Sequence, residues 1–246
     1  MDLNTENDEN KFLNDYDSTE FKRPNTTVDV VIFTIKDNAL HVLTIKREKH
    51  PFQDCWSLVG GFVDIEKDRD IDDTARRKLF EKTGVTTPYL EQYKTLGNSV
   101  RDPRGWTIST IYFALISSEN VKLKMGSGAV DISWSKIEGD GVNKQLAFDH
   151  AEILSGCLDR LRSKVMYTSL PVYLLPEEFT LSELQAVYEV IMDKHVERKS
   201  FHRRMLNSGI IEETDRKKIN GHRPGQIYRV IKRSSAHYFS RSMGQK

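Results

Sequence analysis

Two cysteines in 246 residues, Cys55 and Cys157, are too few and too far apart for a disulfide framework or a zinc site. They read as buried or incidental thiols of a reducing compartment. No apolar run approaches the length of a membrane span. The start, Met1-Asp2-Leu3-Asn4, is acidic and polar with no apolar core, so no signal peptide is expected and a cytoplasmic location is. There is no internal repeat. What remains, 38% apolar and 30% charged residues, is an ordinary globular composition, long enough for one large domain or two modest ones. A balanced net charge of +1 is also missing any local balance. From Lys194 onward 14 Lys and Arg face 4 Asp and Glu, a net of +10, which leaves −9 on the preceding 193 residues. An acidic body with a basic C-terminal quarter predicts two domains with different partners, one of them a polyanion.

Residues 1–22, rich in Asn, Asp and Glu, read as a flexible arm. Residues 28–34 and 40–47 read as strands joined by a turn at Lys36-Asp37-Asn38, and Trp56-Ser57-Leu58 leads into a Gly60-Gly61 loop. A helix is predicted over 70–83, with Ile71, Ala75 and Leu79 toward the core and Gly84 as its cap. Strands follow near 89–96, 107–116 and 131–134, then a helix over 149–164. This order fits an α/β sandwich, a mixed sheet between helices, over 23–166. A composition break with two prolines marks a linker over 167–178. Beyond it, over 179–240, Thr180-Leu181-Ser182-Glu183 is a capping box opening an amphipathic helix. A basic helix over 198–206, a strand start at Ile210-Ile211-Glu212, a basic Gly-rich tip over 217–225 and a returning strand over 226–231 complete the pattern of a winged helix-turn-helix.

The chemistry sits on the first helix. Gly60-Gly61-Phe62-Val63 is followed by Arg76-Arg77-Lys78-Leu79-Phe80-Glu81-Lys82-Thr83-Gly84-Val85. This resembles the Nudix box, in which a glycine loop leads to a helix with Arg, Glu, an aliphatic residue, paired acids and a closing Gly. With Arg77 and Gly84 as anchors, two positions that carry metal-holding Glu in that box read Lys78 and Lys82. The early Glu falls on Arg69 or Lys67 by counting, so it is lost or displaced to Glu66. Mg²⁺ needs carboxylate and phosphate oxygens, and two nearby ammonium groups repel it by several kcal/mol even at an effective dielectric of about 20. The same lysines can neutralise a diphosphate directly. The expectation is a ligand site without a catalyst, with no catalytic residue, no metal and no cofactor. Its candidate residues are Arg47, Gly61, Lys78, Glu81, Lys82, Arg101 and Arg104; the last two come from Arg101-Asp102-Pro103-Arg104-Gly105-Trp106. Trp106 can stack on a base or simply pack.

In the basic quarter, Lys199, His202, Arg203 and Arg204 put positive side chains on successive turns of a short helix that can enter a major groove. Arg223 lies at the hairpin tip. His202 and His222 are too isolated to be metal ligands.

The whole chain after the arm resembles the Nudix-related transcriptional regulators, the NrtR family. The resemblance rests on Gly60-Gly61-Phe62-Val63, Arg101-Asp102-Pro103-Arg104-Gly105, Leu146-Ala147-Phe148-Asp149-His150, Phe179-Thr180-Leu181, Lys199-Ser200-Phe201-His202-Arg203-Arg204 and Arg223-Pro224-Gly225-Gln226-Ile227-Tyr228. It implies a homodimeric repressor of NAD-metabolism genes that binds a palindromic duplex operator and senses ADP-ribose or a related NAD metabolite. It carries DNA contact onto Lys199, Ser200, His202, Arg203, Arg204, Arg223 and Gln226. Some relatives answer to sugars or their derivatives, which leaves the effector open. The alternatives are an ADP-ribose or nucleotide-diphosphate pyrophosphatase with a basic appendage, using Glu66, Glu81 and Asp64 as a relocated metal set, and an RNA-binding Nudix protein.

Overall fold

The structure, a computed structural model, describes residues 3–84, 86, 89–121, 123–126, 128–220, 223–231 and 236–240. Val85, Gly221 and His222, used above in reading the box and the hairpin tip, lie outside the described residues. Where the arm was expected to lack regular structure, it holds a helix, α1 (Leu3–Asp15). Phe12 of α1 meets Tyr16 with ring centroids 5.6 Å apart, and both rings stay largely exposed. Composition foretold the missing burial here: residues 8–24 are exposed.

Strand β1 (Asn25–Lys36) is buried on both faces along most of its length, as its run of branched residues requires. It pairs antiparallel with β2 (Ala39–Arg47), and β2 in turn carries the two-residue β3 (Trp56–Ser57). The Gly60-Gly61 pair, expected in a loop, lies within β4 (Val59–Phe62), which pairs with β1 at Asp29–Gly60 and Val28–Gly61. The missing side chain is the reason: a Cβ on Gly60 would stand 2.5 Å from both the Val28 carbonyl and Asp29 Oδ1. After helix α2 (Ile71–Thr83) come β5 (Tyr89–Asn98), β6 (Thr107–Leu115), β7 (Ala129–Glu138) and β8 (Gly141–Val142). The sheet runs β5-β6-β1-β2-β7-β8, mixed because β6 alone is parallel to β1. Helix α3 (His150–Val165) closes the domain.

Strand alternation sends the two faces of β1 to different helices. Val28, Val30 and Ile32 pack with Ala75 and Leu79 of α2. Val31 and Phe33 pack with Ile153, Leu154, Cys157, Leu158 and Leu161 of α3, where burial pushes the Cys157 thiol up to about 12. The expected α/β/α sandwich is thus formed. Among the described residues no helix is long and apolar enough to cross a membrane.

The segment over 167–178 is not an exposed linker. Leu170–Leu174 forms a buried 3-10 turn, and its Leu170, Val172 and Leu174 belong to the cluster that holds both Phe33 and the C-terminal helices. Pro171, read as a break, instead suits the first turn of that helix, where its missing N–H costs nothing. Strand β9 (Glu178–Thr180) follows, then α4 (Leu181–Met192), α5 (Arg198–Asn207), β10 (Ile211–Asn220) and β11 (Arg223–Val230). β9 joins the hairpin in a three-stranded sheet of order β10-β11-β9, so the winged helix begins one strand earlier than its hydrophobic pattern indicated. The capping box is complete: Thr180 Oγ1 accepts from Glu183 N at 3.2 Å and Glu183 Oε2 accepts from Thr180 N at 2.7 Å.

Candidate functional site

Helix α2 starts where Asp70 accepts the Asp73 amide at 2.7 Å and stops at Gly84, whose φ of +64° brings its N–H onto the Phe80 carbonyl at 2.8 Å. Between these caps Arg77 is the central residue. Its Nε and Nη2 hold Asp68 Oδ1 and Oδ2 at 2.6 and 2.5 Å, and Nη1 holds Glu81 Oε1 at 3.0 Å. Asp68 is buried and also accepts from Thr74 Oγ1 and the Asp64 amide, and these donors with Arg77 hold its carboxyl well below the usual range. The acid that pairs with the Arg of the box is therefore Asp68, and not Glu66. The loop spacing hid it, since the inserted residues shift the count; an acid within one or two places of the expected position was the available signal.

Lys78 lies with its aliphatic stem on Gly61, where a Cβ would meet Lys78 Cε at 3.0 Å, and its Nζ donates to Glu81 Oε2 at 3.2 Å. Glu81 thus carries two cations. Burial raises its pKa, but the hydrogen bonds from Arg77 and Lys78 outweigh that and keep it ionised. Lys82 points elsewhere: it is buried, its pKa lowered by that burial, with Nζ toward Gly126 rather than the glycine strand. Asp64 is taken by Lys67 at 2.6 Å. Among the described residues no three of His, Cys, Asp and Glu are grouped to hold a metal. Glu81, the acid of α2 beside Lys78, is already bridged by Arg77 and Lys78, and those two cations disfavour a divalent metal at this carboxylate.

On the other side of β4 opens a cleft lined by Asp29, Arg47, Gly61, Phe62, Arg101, Arg104, Phe148 and His150. Four predicted residues, Arg47, Gly61, Arg101 and Arg104, meet there, while Lys78 borders a shallower neighbouring hollow with Phe62 and Arg77. Their availability differs. Arg101 is buried, with Nε and Nη2 on Asp149 at 2.9 and 3.0 Å and Nη2 on Asp29 at 3.2 Å. It serves the floor rather than offering an open fork for phosphate. Arg104 chelates Asp102 at 2.7 to 3.2 Å and lies over Phe62 at 4.9 Å. Among the described residues Arg47 donates to two carbonyls, Pro51 O at 2.8 Å and Lys49 O at 3.4 Å, and it stacks over Phe148 at 4.8 Å. Burial, and then the nearby Arg104, lower its pKa, so an anion entering the cleft relieves crowded positive charge.

Three residues of this cleft carried no role in the sequence reading. Asp29 is buried; burial raises its pKa, but His150, Ser109 and Arg101 bring it down to about 2. His150 accepts the Leu58 amide on Nδ1 at 3.0 Å, which leaves Nε2–H facing Asp29 Oδ1 at 3.5 Å. Phe148 adopts φ of +55°, an uncommon conformation for an aromatic residue, beside Phe52 at φ +58° with centroids 4.7 Å apart. A charge inside the apolar run Val28-Asp29-Val30-Val31 was the legible sign of Asp29. Trp106 is half exposed and lies against Gly97, so it is neither core nor in the cleft.

Helix α5 is capped by Glu197, which accepts from Lys199 N and Ser200 N at 2.9 and 2.7 Å. Phe201 and Met205 are buried, and Lys199, Ser200 and Arg203 stand exposed on the outer face. His202 is half buried. Two residues expected to contact DNA make contacts within the protein. Arg204 is half buried with its guanidinium over the Phe239 ring at 4.1 Å. Gln226 turns into the hairpin, Nε2 donating to Thr214 O at 2.5 Å, where it ties off the bulge between Glu213 and Lys217. Sequence spacing could not see either, because both partners lie on other segments. Arg223 opens β11 opposite Asn220.

The comparisons with known proteins agree with this division. A NUDIX domain model matches residues 24–155 and an NrtR DNA-binding winged helix model matches residues 171–230, starting inside the segment first read as a linker. The chain is 43% identical over 221 residues to the ADPR responsive transcriptional repressor NtrR of Acinetobacter baylyi, covering 90% of this chain and 88% of that one. The crystal structure of Shewanella oneidensis NrtR complexed with a 27mer DNA superposes with a TM-score of 0.80 at 38% identity, over 89% of this chain and 99% of that chain. The NUDIX domain of the same protein complexed with ADP ribose matches at 40% identity and a TM-score of 0.58, over 62% of this chain and 98% of that one. The chain belongs to the NrtR family of regulators, a NUDIX domain joined to a DNA-binding winged helix.

Proposed function

We propose that this protein is a cytoplasmic transcriptional repressor of NAD-metabolism genes that binds a palindromic duplex operator as a homodimer. In this reading ADP-ribose, or a related NAD metabolite, enters the cleft between β2 and β4 and releases the operator. Hydrolysis is lost. The observation that carries the reading is the Lys78–Glu81 pair at 3.2 Å over Gly61, which puts a fixed cation of the chain where hydrolases of this fold need acids around a metal. Arg47 is the best-placed partner for a diphosphate, since among the described residues it forms no ion pair and its guanidinium donates to carbonyls. On α5, Lys199 and Arg203 supply the outward charge for the groove and backbone. The likeness to a repressor described as ADPR responsive, and to structures with DNA and with ADP ribose, supports both halves of the reading.

The test is fluorescence anisotropy with a duplex taken from upstream of the protein's own gene, titrated with ADP-ribose. A salt-sensitive, sequence-preferring complex that ADP-ribose dissolves is expected. The companion assay adds Mg²⁺ or Mn²⁺ and follows AMP release. Turnover above about 1 per second would place the protein among ordinary pyrophosphatases and overturn the non-catalytic half. Preference for RNA over duplex DNA would overturn the other half.

A further inference from the structure

The segment 237–239 runs back to the junction after α3 and lies there as a short strap. Ser169 N donates to His237 O at 3.0 Å, Phe239 N donates to Tyr167 O at 2.8 Å, and His237 N donates to Ser169 Oγ at 2.9 Å. Thr168 pairs antiparallel with Tyr238, and the rings of Tyr167 and Tyr238 stack at 6.2 Å. The strap then touches the basic helix: Phe239 presents its ring to the Arg204 guanidinium at 4.1 Å. From the same junction a second route reaches α5. Tyr188 Oη donates to Thr168 O at 2.8 Å, and the Tyr188 ring meets Phe201 edge-on at 5.1 Å. Phe201 and Arg204 are three residues apart on the inward side of α5. One three-residue turn, 167–169, therefore holds the inner face of α5 at two points, once through α4 and once through the strap.

A basic side chain in the middle of a DNA-reading helix would ordinarily be counted as a DNA contact. Here its plane is stacked on an aromatic ring and half buried, a geometry in which a guanidinium holds position rather than reaches outward. We propose that residues 237–239 form a strap fixing the pose of α5 against the ligand-sensing domain, with Arg204 and Phe239 as positioning residues for DNA recognition. This rests on the duplex-binding reading above. The strap holds the turn that directly follows α3, the last helix of the sensing domain, so it also transmits the ADP-ribose response.

The test uses the full chain and the upstream duplex, with anisotropy measured across a salt series. Phe239→Leu, which keeps an apolar side chain and removes the ring, weakens binding about 3- to 30-fold. Arg204→Ala gives a similar loss, and the double variant adds little more, since both break one contact. The slope of log affinity against log salt stays at the wild-type value in all three. Arg203→Ala, the reference for an outward charge, lowers that slope by about 1. Calorimetric ADP-ribose affinity is unchanged in Phe239→Leu, while more ADP-ribose is needed per unit of operator release. An Arg204→Ala slope change like that of Arg203→Ala makes Arg204 a DNA contact and overturns the proposal. So does a Phe239→Leu chain that binds and responds as wild type, or one that loses ADP-ribose binding together with DNA. A wild-type chain that binds no duplex sinks the repressor reading itself, and the strap with it.

Discussion

Gly60 has no room for even a methyl group: the Cβ of an alanine would stand 2.5 Å from the Val28 carbonyl and from Asp29 Oδ1. Gly60→Ala is expected to cost about 1–3 kcal/mol as β4 is pushed off β1, read as a lower urea midpoint with an unchanged slope. The acid beneath it gives a pH signature. Burial alone would raise the Asp29 pKa, but His150, Ser109 and Arg101 bring it from 3.8 to about 2. A depressed carboxylate contributes stability that is present above the unfolded pKa and lost as pH falls through the folded one. Stability therefore drops between about pH 4 and 2, and Asp29→Asn flattens that acid limb in unfolding curves while lowering stability at neutral pH. At this scale the sequence was half legible. Arg77, Glu81, Gly61 and Lys78 could be placed from spacing alone, because they lie on one helix and the strand before it. Asp68 was hidden by the inserted loop residues, and Asp29 and Phe148 could not be given roles because their partners lie far along the chain, His150 being 121 positions from Asp29 and Phe148 lying under Arg47.

Among the elements, α2 and α5 carry the function proposed above and respond to different changes. Lys78→Glu places an acid beside Glu81, and with Lys82→Glu returning the second acid of the box Mn²⁺ binding by calorimetry is the expected gain; no heat would mean that more of the cation site is gone. On α5, Arg203→Ala should weaken duplex binding by about 1–3 kcal/mol, with ADP-ribose affinity intact because the cleft lies in the other domain. Equal loss of both would signal misfolding. Helices were the most readable elements, since the capping box Thr180–Glu183 and the Gly84 stop are local signals. β9 and the turn at Leu170–Leu174 were not, because their burial depends on a sheet and a core supplied by distant residues.

At the scale of the molecule the two domains are joined by a continuous apolar cluster, from Phe33 through Leu174 to Phe201 and Tyr228. The charge asymmetry, +10 in the last 53 residues against −9 before them, was readable at once and matches the exposed Lys199 and Arg203. The homodimer is an expectation of the family resemblance alone, because nothing in one chain's pattern specifies its own partner surface. Light scattering is expected to give twice the 28.4 kDa of the chain, with duplex affinity falling by orders of magnitude between roughly 50 and 200 mM salt.

Thr180 ends β9 and caps α4 with the same residue. Hairpin and helix thus travel as a single piece, and no metabolite can bend one without carrying the other. In the dimer proposed above, the operator would then register a change in the distance or phase between two rigid readers. Half-sites respaced by part of a helical turn should mimic the effector, and a full extra turn should restore much of the grip.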